Sequence, residues 1–531
     1  MQVKDMFELV LKGGTVVNGL GTAPFVADIA VENGTIAAIG PDLQGAKTLD
    51  CSSYTVTPGF IDIHRHGDAA VFRKDFGQLE LKQGLTSVVN GACGLSLAPF
   101  GAANRQALLR YLQPVTGKLD PTIPTDSMAA YLAAIRDLPI HVGMMVGGGT
   151  VRTDVCGYQA NDPEDFRQIH QRLEKALSEG ALAVSLGLGY APECFYRTDS
   201  LITALEPLKN SQIPIAVHLR EEGDMVCEAI REMIEVARSL HCPLHVSHLK
   251  AMGKRNWRKR IPEALRIMQQ AREEGLDVSC DVYLYEAGST QLLHLLPPDY
   301  LEGGVDAICE RLRDTACMDA LRERIKNAHD FDNIAQMIGW ENIIVSSLPS
   351  EEYRYLIGKT MDEVAQCLHL DPVTALCEIL VHERCAVTMI DRINCEDDIR
   401  LILNDPFASV ISDATYPTVG LPHPRVYATY PRLFETYVKN GVLSLEEAVR
   451  KCTSLPARSM RIKGKGVLAV GMDADINVFR PEQLHALATF EMPRQESTGL
   501  QHVLVGGQVA ILNGELTAAA NGSILHSSNV K

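Results

Sequence analysis

Pro58-Gly59-Phe60-Ile61-Asp62-Ile63-His64-Arg65-His66 carries the strongest signal of architecture in the chain. Its apolar part has the length of a buried strand and ends in two histidines two positions apart. Strand alternation sends such a pair to one face, so both imidazoles can face one metal ion. Seven more runs of this kind follow: LTSVVNGA (85–92), IHVGMMVGG (140–148), ALAVSLGLG (181–189), IPIAVHLR (213–220), PLHVSHLK (243–250), LDVSCDVYLY (276–285) and SVISDA (409–414). Near-continuous apolar runs alternating with helical patterns read as parallel strands buried on both faces. Eight of them make an α/β fold of the (β/α)8 type, a TIM-like barrel, the economical topology.

On the N-terminal side the pattern changes to short strands and turns. Val31–Ile39 carries an Asn-Gly turn at Asn33 and Gly34, a strong hairpin signal. ADINVFR and QHVLVGGQVAILNGE near the other end are written in the same style. Chain ends often lie close together, so residues 1–58 and 466–520 are expected to form one small β-sandwich domain. Residues 59–465 are then the barrel, with an insertion at about 295–350 where PPDYLEGG and a charged helical stretch break the alternation. The tail AAANGSILHSSNVK is expected to be partly disordered.

Bulk properties narrow the classes of function. The chain has 531 residues, a formal net charge of -16 and 46% hydrophobic residues. Nucleic acid is excluded as a partner, because phosphate binding needs a clustered positive field. The one dense basic run, Lys254, Arg255, Arg258, Lys259 and Arg260, reads as a solvated loop face. No stretch approaches the ~20 apolar residues of a membrane span, and the first residues lack the apolar core and small-residue cleavage site of a signal peptide. Fourteen cysteines fall without regular spacing, which points to reduced thiols and a cytoplasmic setting.

Chemistry gathers at the strand ends. An isolated His-x-His occurs by chance in many sequences, but His218 and His248 end two further apolar runs, and four histidines at three strand ends suit an open zinc site. Asp413 ends the eighth run. There it can ligate a metal and accept a proton from an attacking water, or it can serve as a helix N-cap with Ser412.

The runs around these residues are long and specific: PGFIDIHRH, GLTSVVNGACGLSLAP from Gly84, HLREEGD from His218, SHLKAMGKRNW from Ser247, YLYEAGST from Tyr283, PHPRVYATYPR from Pro422 and KCTSLPA from Lys451. Together they resemble the amidohydrolase superfamily, and within it the D-aminoacylase (N-acyl-D-amino-acid deacylase) branch. Many relatives use a carboxylated lysine on strand four, where this chain reads Ala183-Val184-Ser185-Leu186-Gly187. The branch uses a cysteine after strand two, and the resemblance implies that Cys93 does that work. By the residues alone Cys93 is a small buried side chain. The resemblance further implies a tight zinc on Cys93, His218 and His248 and a second position, weak or empty in some relatives, on His64, His66 and Asp413. Asp413 is then general base and afterwards general acid, and Lys250, Tyr283, Ser289 and Arg425 hold the α-carboxylate of an N-acyl-D-amino acid.

Three departures bear on the substrate: Gly148 stands where relatives carry a histidine, Glu193 where a glycine is usual, and Tyr283-Leu284-Tyr285 replaces Tyr-Pro-Tyr. All three are expected to line the mouth. The expected activity is zinc-dependent deacylation of a small-molecule N-acyl-D-amino acid. The alternatives are a cyclic amide, an N-carbamoyl compound or a dipeptide at the same site, and, remotely, a non-catalytic scaffold, which the retained ligands and Asp413 oppose.

Overall fold

The computed structural model describes residues 6–163, 166–417 and 419–527. Both ends of the chain build one hydrogen-bonded sheet of nine strands. Phe7–Val16, Phe25–Glu32, Thr35–Gly40, Gly45–Asp50 and Thr55–Pro58 come from the N-terminal end, and Ile476–Phe479, Leu500–Val505, Gln508–Leu512 and Glu515–Leu516 from the other. The seam is the antiparallel pairing of Thr55–Pro58 with Ile476–Phe479. Asn33 (φ 49°) and Gly34 (φ 76°) make the tight turn between the second and third strands, since two positive φ values match the twist of a two-residue hairpin. Leu9, Leu11, Ile29, Val31, Ile476 and Leu504 are buried in its core.

The barrel strands are Phe60–Asp62, Leu85–Asn90, His141–Met144 running on into Val146–Gly147, Val184–Gly187, Ile215–His218, Leu244–Val246, Val278–Val282 and Ala408–Val410. The first three pair in parallel, and the third passes the ladder to the next five. A parallel bridge between Arg65 and Ala414 joins the first strand to the eighth. Every strand residue is buried, the condition that made these runs apolar without alternation.

The segment read as an insertion is wider than 295–350. A three-stranded antiparallel sheet of Gly288–Gln291, Ile343–Ser347 and Thr388–Asp391, with its helices, fills the interval between barrel strands seven and eight. Ile343–Ser347 and Thr388–Asp391 are short, largely apolar runs that resemble barrel strands in sequence, and Gly288–Gln291 is a polar one with no strand signal, so the segment reads too narrow. The tail also departs from expectation. Val142 N–H donates to Ser523 O (3.0 Å), Leu525 N–H donates to Val142 O (2.8 Å), and Leu525 is buried. His141 bridges Ser523 Oγ (2.9 Å) and Asp475 (3.0 Å), so the tail is latched under the barrel; residues 528–531 lie outside the described residues.

The basic run is a paired surface. Arg255 meets Asp224, Arg258 meets Asp397 and Arg260 meets Glu263. Among the described residues no single helix is long and apolar enough to cross a membrane.

Candidate metal centre

Because the strands run in parallel, residues just past their C-terminal ends meet at one mouth. His64 and His66 follow strand one, Cys93 strand two, His248 strand six and Asp413 strand eight, while His218 is the last residue of strand five. Three of these six hold unusual backbone: Cys93 (φ 55°), His248 (φ 34°) and Asp413 (φ 51°) are left-handed. Such conformations cost about 1–3 kcal/mol each and persist only where the surroundings impose them. Here they turn three side chains inward at the strand ends. For Cys93 the turn is framed by Gly91 and Gly94, also at positive φ.

The thiol of Cys93 is the hub. Its Sγ lies 3.3 Å from His64 Nε2 and 3.3 Å from His248 Nε2. His248 Nε2 lies 3.1 Å from His218 Nδ1. On the other side Asp413 Oδ1 stands 3.2 Å from His66 Nε2 and 3.5 Å from His64 Nε2. Donor atoms of His64, Cys93 and His248 lie within 4.8 Å of one another, as do those of His64, His66 and Asp413, and those of His218, Glu222 and His248. All are buried. Soft sulfur, imidazole nitrogen and carboxylate oxygen converging in this way fit a zinc ion.

The electrostatics agree with that donor set. Burial alone pushes the Cys93 thiol up, but the His64 and His248 imidazoles outweigh it and hold the thiol well below its ordinary range. Burial likewise raises the Asp413 carboxyl, and the Arg425 guanidinium and His66 outweigh that, holding it well below the usual carboxylate range. Burial opposes the charged form of His66, yet Asp413 and Cys93 push it up to about 9. Anionic donors facing imidazoles at this range are what a cation would compete for.

The residues expected to hold substrate are placed unequally. Lys250, Tyr283 and Ser289 line the cavity above the cluster. The Lys250 ammonium lies 2.7 Å from Glu222 Oε1 and 2.9 Å from its acceptor His248 O, and the Tyr283 hydroxyl is buried without a partner. Arg425 does not line the cavity in this conformation. It is fully buried behind Tyr283, its guanidinium carbon 4.8 Å from the ring centre, and Nη2 reaches Asp413 Oδ2 at 3.0 Å and Ser289 O at 3.1 Å. The anion nearest to hand has taken the guanidinium, although Nε and Nη1 keep unpartnered donors.

The departures do not all line the mouth. Glu193 is buried, and its carboxylate accepts from Gly187 N–H at 2.8 Å, on the far side of the Cys93 loop. A Cβ added at Gly148 would come within 2.5 Å of Glu193 Oε1, and one at Gly94 within 2.0 Å of Oε2. Gly148 and Glu193 are therefore one packing exchange: the carboxyl occupies the space that a side chain at 148 would need. Burial pushes this carboxyl up to about 8. The third departure, Leu284, is fully buried and does not line the cavity either; only its neighbour Tyr283 does.

Several residues of the site escaped the sequence reading. Asp281, on strand seven, accepts from His248 N–H and stands 3.5 Å from His64 Nδ1; a charge inside LDVSCDVYLY was the available signal. Glu222 lies within HLREEGD with no pattern to single it out. Tyr190 and His294 stack with ring centres 4.8 Å apart at the cavity wall, and LLHLL gives no sign of it.

Comparison with known proteins places this geometry. The chain is 31% identical over 509 residues to a D-aminoacylase of Alcaligenes xylosoxydans xylosoxydans, covering 94% of each chain. It is 32% identical over 514 residues to an N-acyl-D-glutamate deacylase of the same organism, covering 95% of this chain and 94% of the relative. Among solved structures, the N-acyl-D-glutamate deacylase of Bordetella bronchiseptica, complexed with zinc and a phosphonate mimic of the tetrahedral intermediate, superposes with a TM-score of 0.83 at 28% identity. That superposition covers 98% of this chain and 100% of the other. Residues 47–511 match the model of the amidohydrolase family, and the chain belongs to that family.

Proposed function

We propose that this protein is a zinc-dependent deacylase of N-acyl-D-amino acids. The observation that carries the reading is the buried convergence of the Cys93 thiol on His64 and His248, with Asp413 closing the other side. Cys93, His218 and His248 would hold the principal zinc, and His64, His66 and Asp413 would hold a second ion. Bound there, zinc polarises the amide carbonyl and acidifies water.

The protein's own groups do the rest. Asp413, kept ionised beside Arg425, takes a proton from the attacking water as the carbonyl carbon gains its new C–O bond. It returns that proton to the nitrogen as the C–N bond breaks, so one water and one amide become a carboxylic acid and a free amine. Lys250, Tyr283 and Ser289 present two polar hydrogen donors and a cation to the α-carboxylate, with the free Arg425 donors behind them. The burial of the whole cluster strengthens each of these interactions.

The test is a panel of N-acetyl and N-formyl D- and L-amino acids run beside hydantoins, N-carbamoyl compounds and dipeptides. Turnover is expected for the D-acyl series. Preference for a cyclic amide or a dipeptide would overturn the deacylase reading while leaving the metal centre standing.

A further inference from the structure

Behind the two imidazoles that face Cys93 from strands five and six lies a single carboxylate, that of Glu222. It is 3% exposed. Its Oε1 stands 3.0 Å from His248 Nδ1 and 2.7 Å from Lys250 Nζ, and its Oε2 stands 3.7 Å from His218 Nε2. These are the ring nitrogens on the far side of each imidazole from the cluster, because His248 presents Nε2 to Cys93 and His218 presents Nδ1 to His248. The loop carrying Glu222 is itself pinned. Asp332, from the segment between barrel strands seven and eight, accepts from Glu222 N–H at 2.5 Å and Gly223 N–H at 3.1 Å, and Met252 N–H donates to Glu222 O at 2.7 Å.

A neutral imidazole offers a lone pair on one nitrogen only. For His248 the structure provides two alternatives. Lys250 Nζ, 2.8 Å from Nδ1, can donate to it, which puts the ring hydrogen on Nε2 and aims it at the Cys93 sulfur. Glu222 Oε1 can instead accept from Nδ1–H, which frees the Nε2 lone pair for a metal. We infer that Glu222 is a positioning residue that selects the metal-holding tautomer of His248, holds Lys250 against the back of the site and sets a negative charge beside His218. This rests on the zinc reading given above and adds to it a role for Glu222 exerted through His248. Oε1 can accept from the His248 ring and the Lys250 ammonium at once, and the carboxylate's charge favours the hydrogen on Nδ1. Glutamine keeps one acceptor but loses that charge, which leaves Lys250 free to donate to Nδ1 instead.

The test is direct metal binding by the full-length chain, stripped with a chelator and titrated with zinc against a competing indicator. Carboxylates behind metal-bound histidines typically change affinity about 10–100-fold, and that loss is expected for Glu222→Gln, titrated well below the melting temperature of the stripped variant. Cobalt(II) substitution is expected to give Glu222→Gln the same visible spectrum as wild type. A changed spectrum would make Glu222 a metal ligand and overturn the positioning role, as would an affinity within twofold of wild type. Should the variant not fold, nitrogen-15 histidine spectra of zinc-loaded wild type decide the matter. Hydrogen on Nδ1 of His248 is expected, and the opposite form would overturn the inference. A wild-type chain that binds no zinc overturns this inference and the zinc reading together; zinc bound equally by both chains overturns this inference alone.

Discussion

The two halves of the site are built differently around one thiol. On the side of strands five and six, His218 and His248 are backed by Glu222, and the charge of that carboxylate is answered by Lys250. On the side of strands one and eight, His66 and His64 face Asp413, which is both candidate ligand and candidate base, and Arg425 grips it from behind. A half whose carboxylate stands back from the cluster is suited to holding an ion tightly. A half whose carboxylate sits in the cluster must leave that group free to exchange protons. The difference predicts tight binding on one side and chemistry on the other.

The most severe way to break the comparison is Cys93→Ala, which removes the donor common to both halves. Near-complete loss of bound metal and of turnover is expected, read by elemental analysis and by assay; full metal content would show that the halves are independent. Asp413→Asn sharpens it from one side. Turnover is expected to fall about 10²–10⁴-fold, the usual worth of a general base, while one zinc per chain stays bound. Loss of that zinc as well would mean that the halves do not divide binding from chemistry.

Arg425→Lys keeps the charge and removes the planar fork. Losing a hydrogen bond to a charged group costs about 1.5–3 kcal/mol, so KM for the acyl-amino acid is expected to rise roughly 10–100-fold. An unchanged KM would confine Arg425 to holding Asp413. The smallest effect is expected outside both halves, at Glu193. Its folded carboxyl titrates at about 8, above its ordinary 4.5, so the native state holds a proton that the unfolded chain gives up first. Its contribution to stability is full below about pH 4.5 and is lost as pH rises through about 8. Glu193→Gln should therefore gain on wild type in melting temperature between pH 5 and pH 8.5, by roughly 1–3 °C. A pH-independent difference would mean that the carboxyl is already ionised in the fold.

Much of this could be read before any coordinates. The barrel was legible because strands buried on both faces must be largely apolar, and the eight runs from Phe60 to Ala414 are, with isolated exceptions such as Asp62 and Asp281. The hairpin at Asn33 and Gly34 was legible because few residues other than glycine and asparagine tolerate positive φ. Glu222 and His294 were not legible, since a carboxylate in a charged loop and a histidine among leucines look ordinary until other strands arrive beside them. The role of Cys93 came from resemblance alone; its approach to His64 and His248 spans 29 and 155 residues of sequence.

The periodicities of the sequence specify the parallel barrel, the sheet made from both ends, and the four histidines and one aspartate at strand ends. Those are local consequences of alternation and burial. Only the tertiary structure decided which ring nitrogen each histidine turns to the thiol, that Glu222 stands behind two of them, that Arg425 is drawn onto Asp413, and that Glu193 fills the space left by Gly148. Each of these depends on distances between strands far apart in the chain, which closure of the barrel sets and no local pattern encodes.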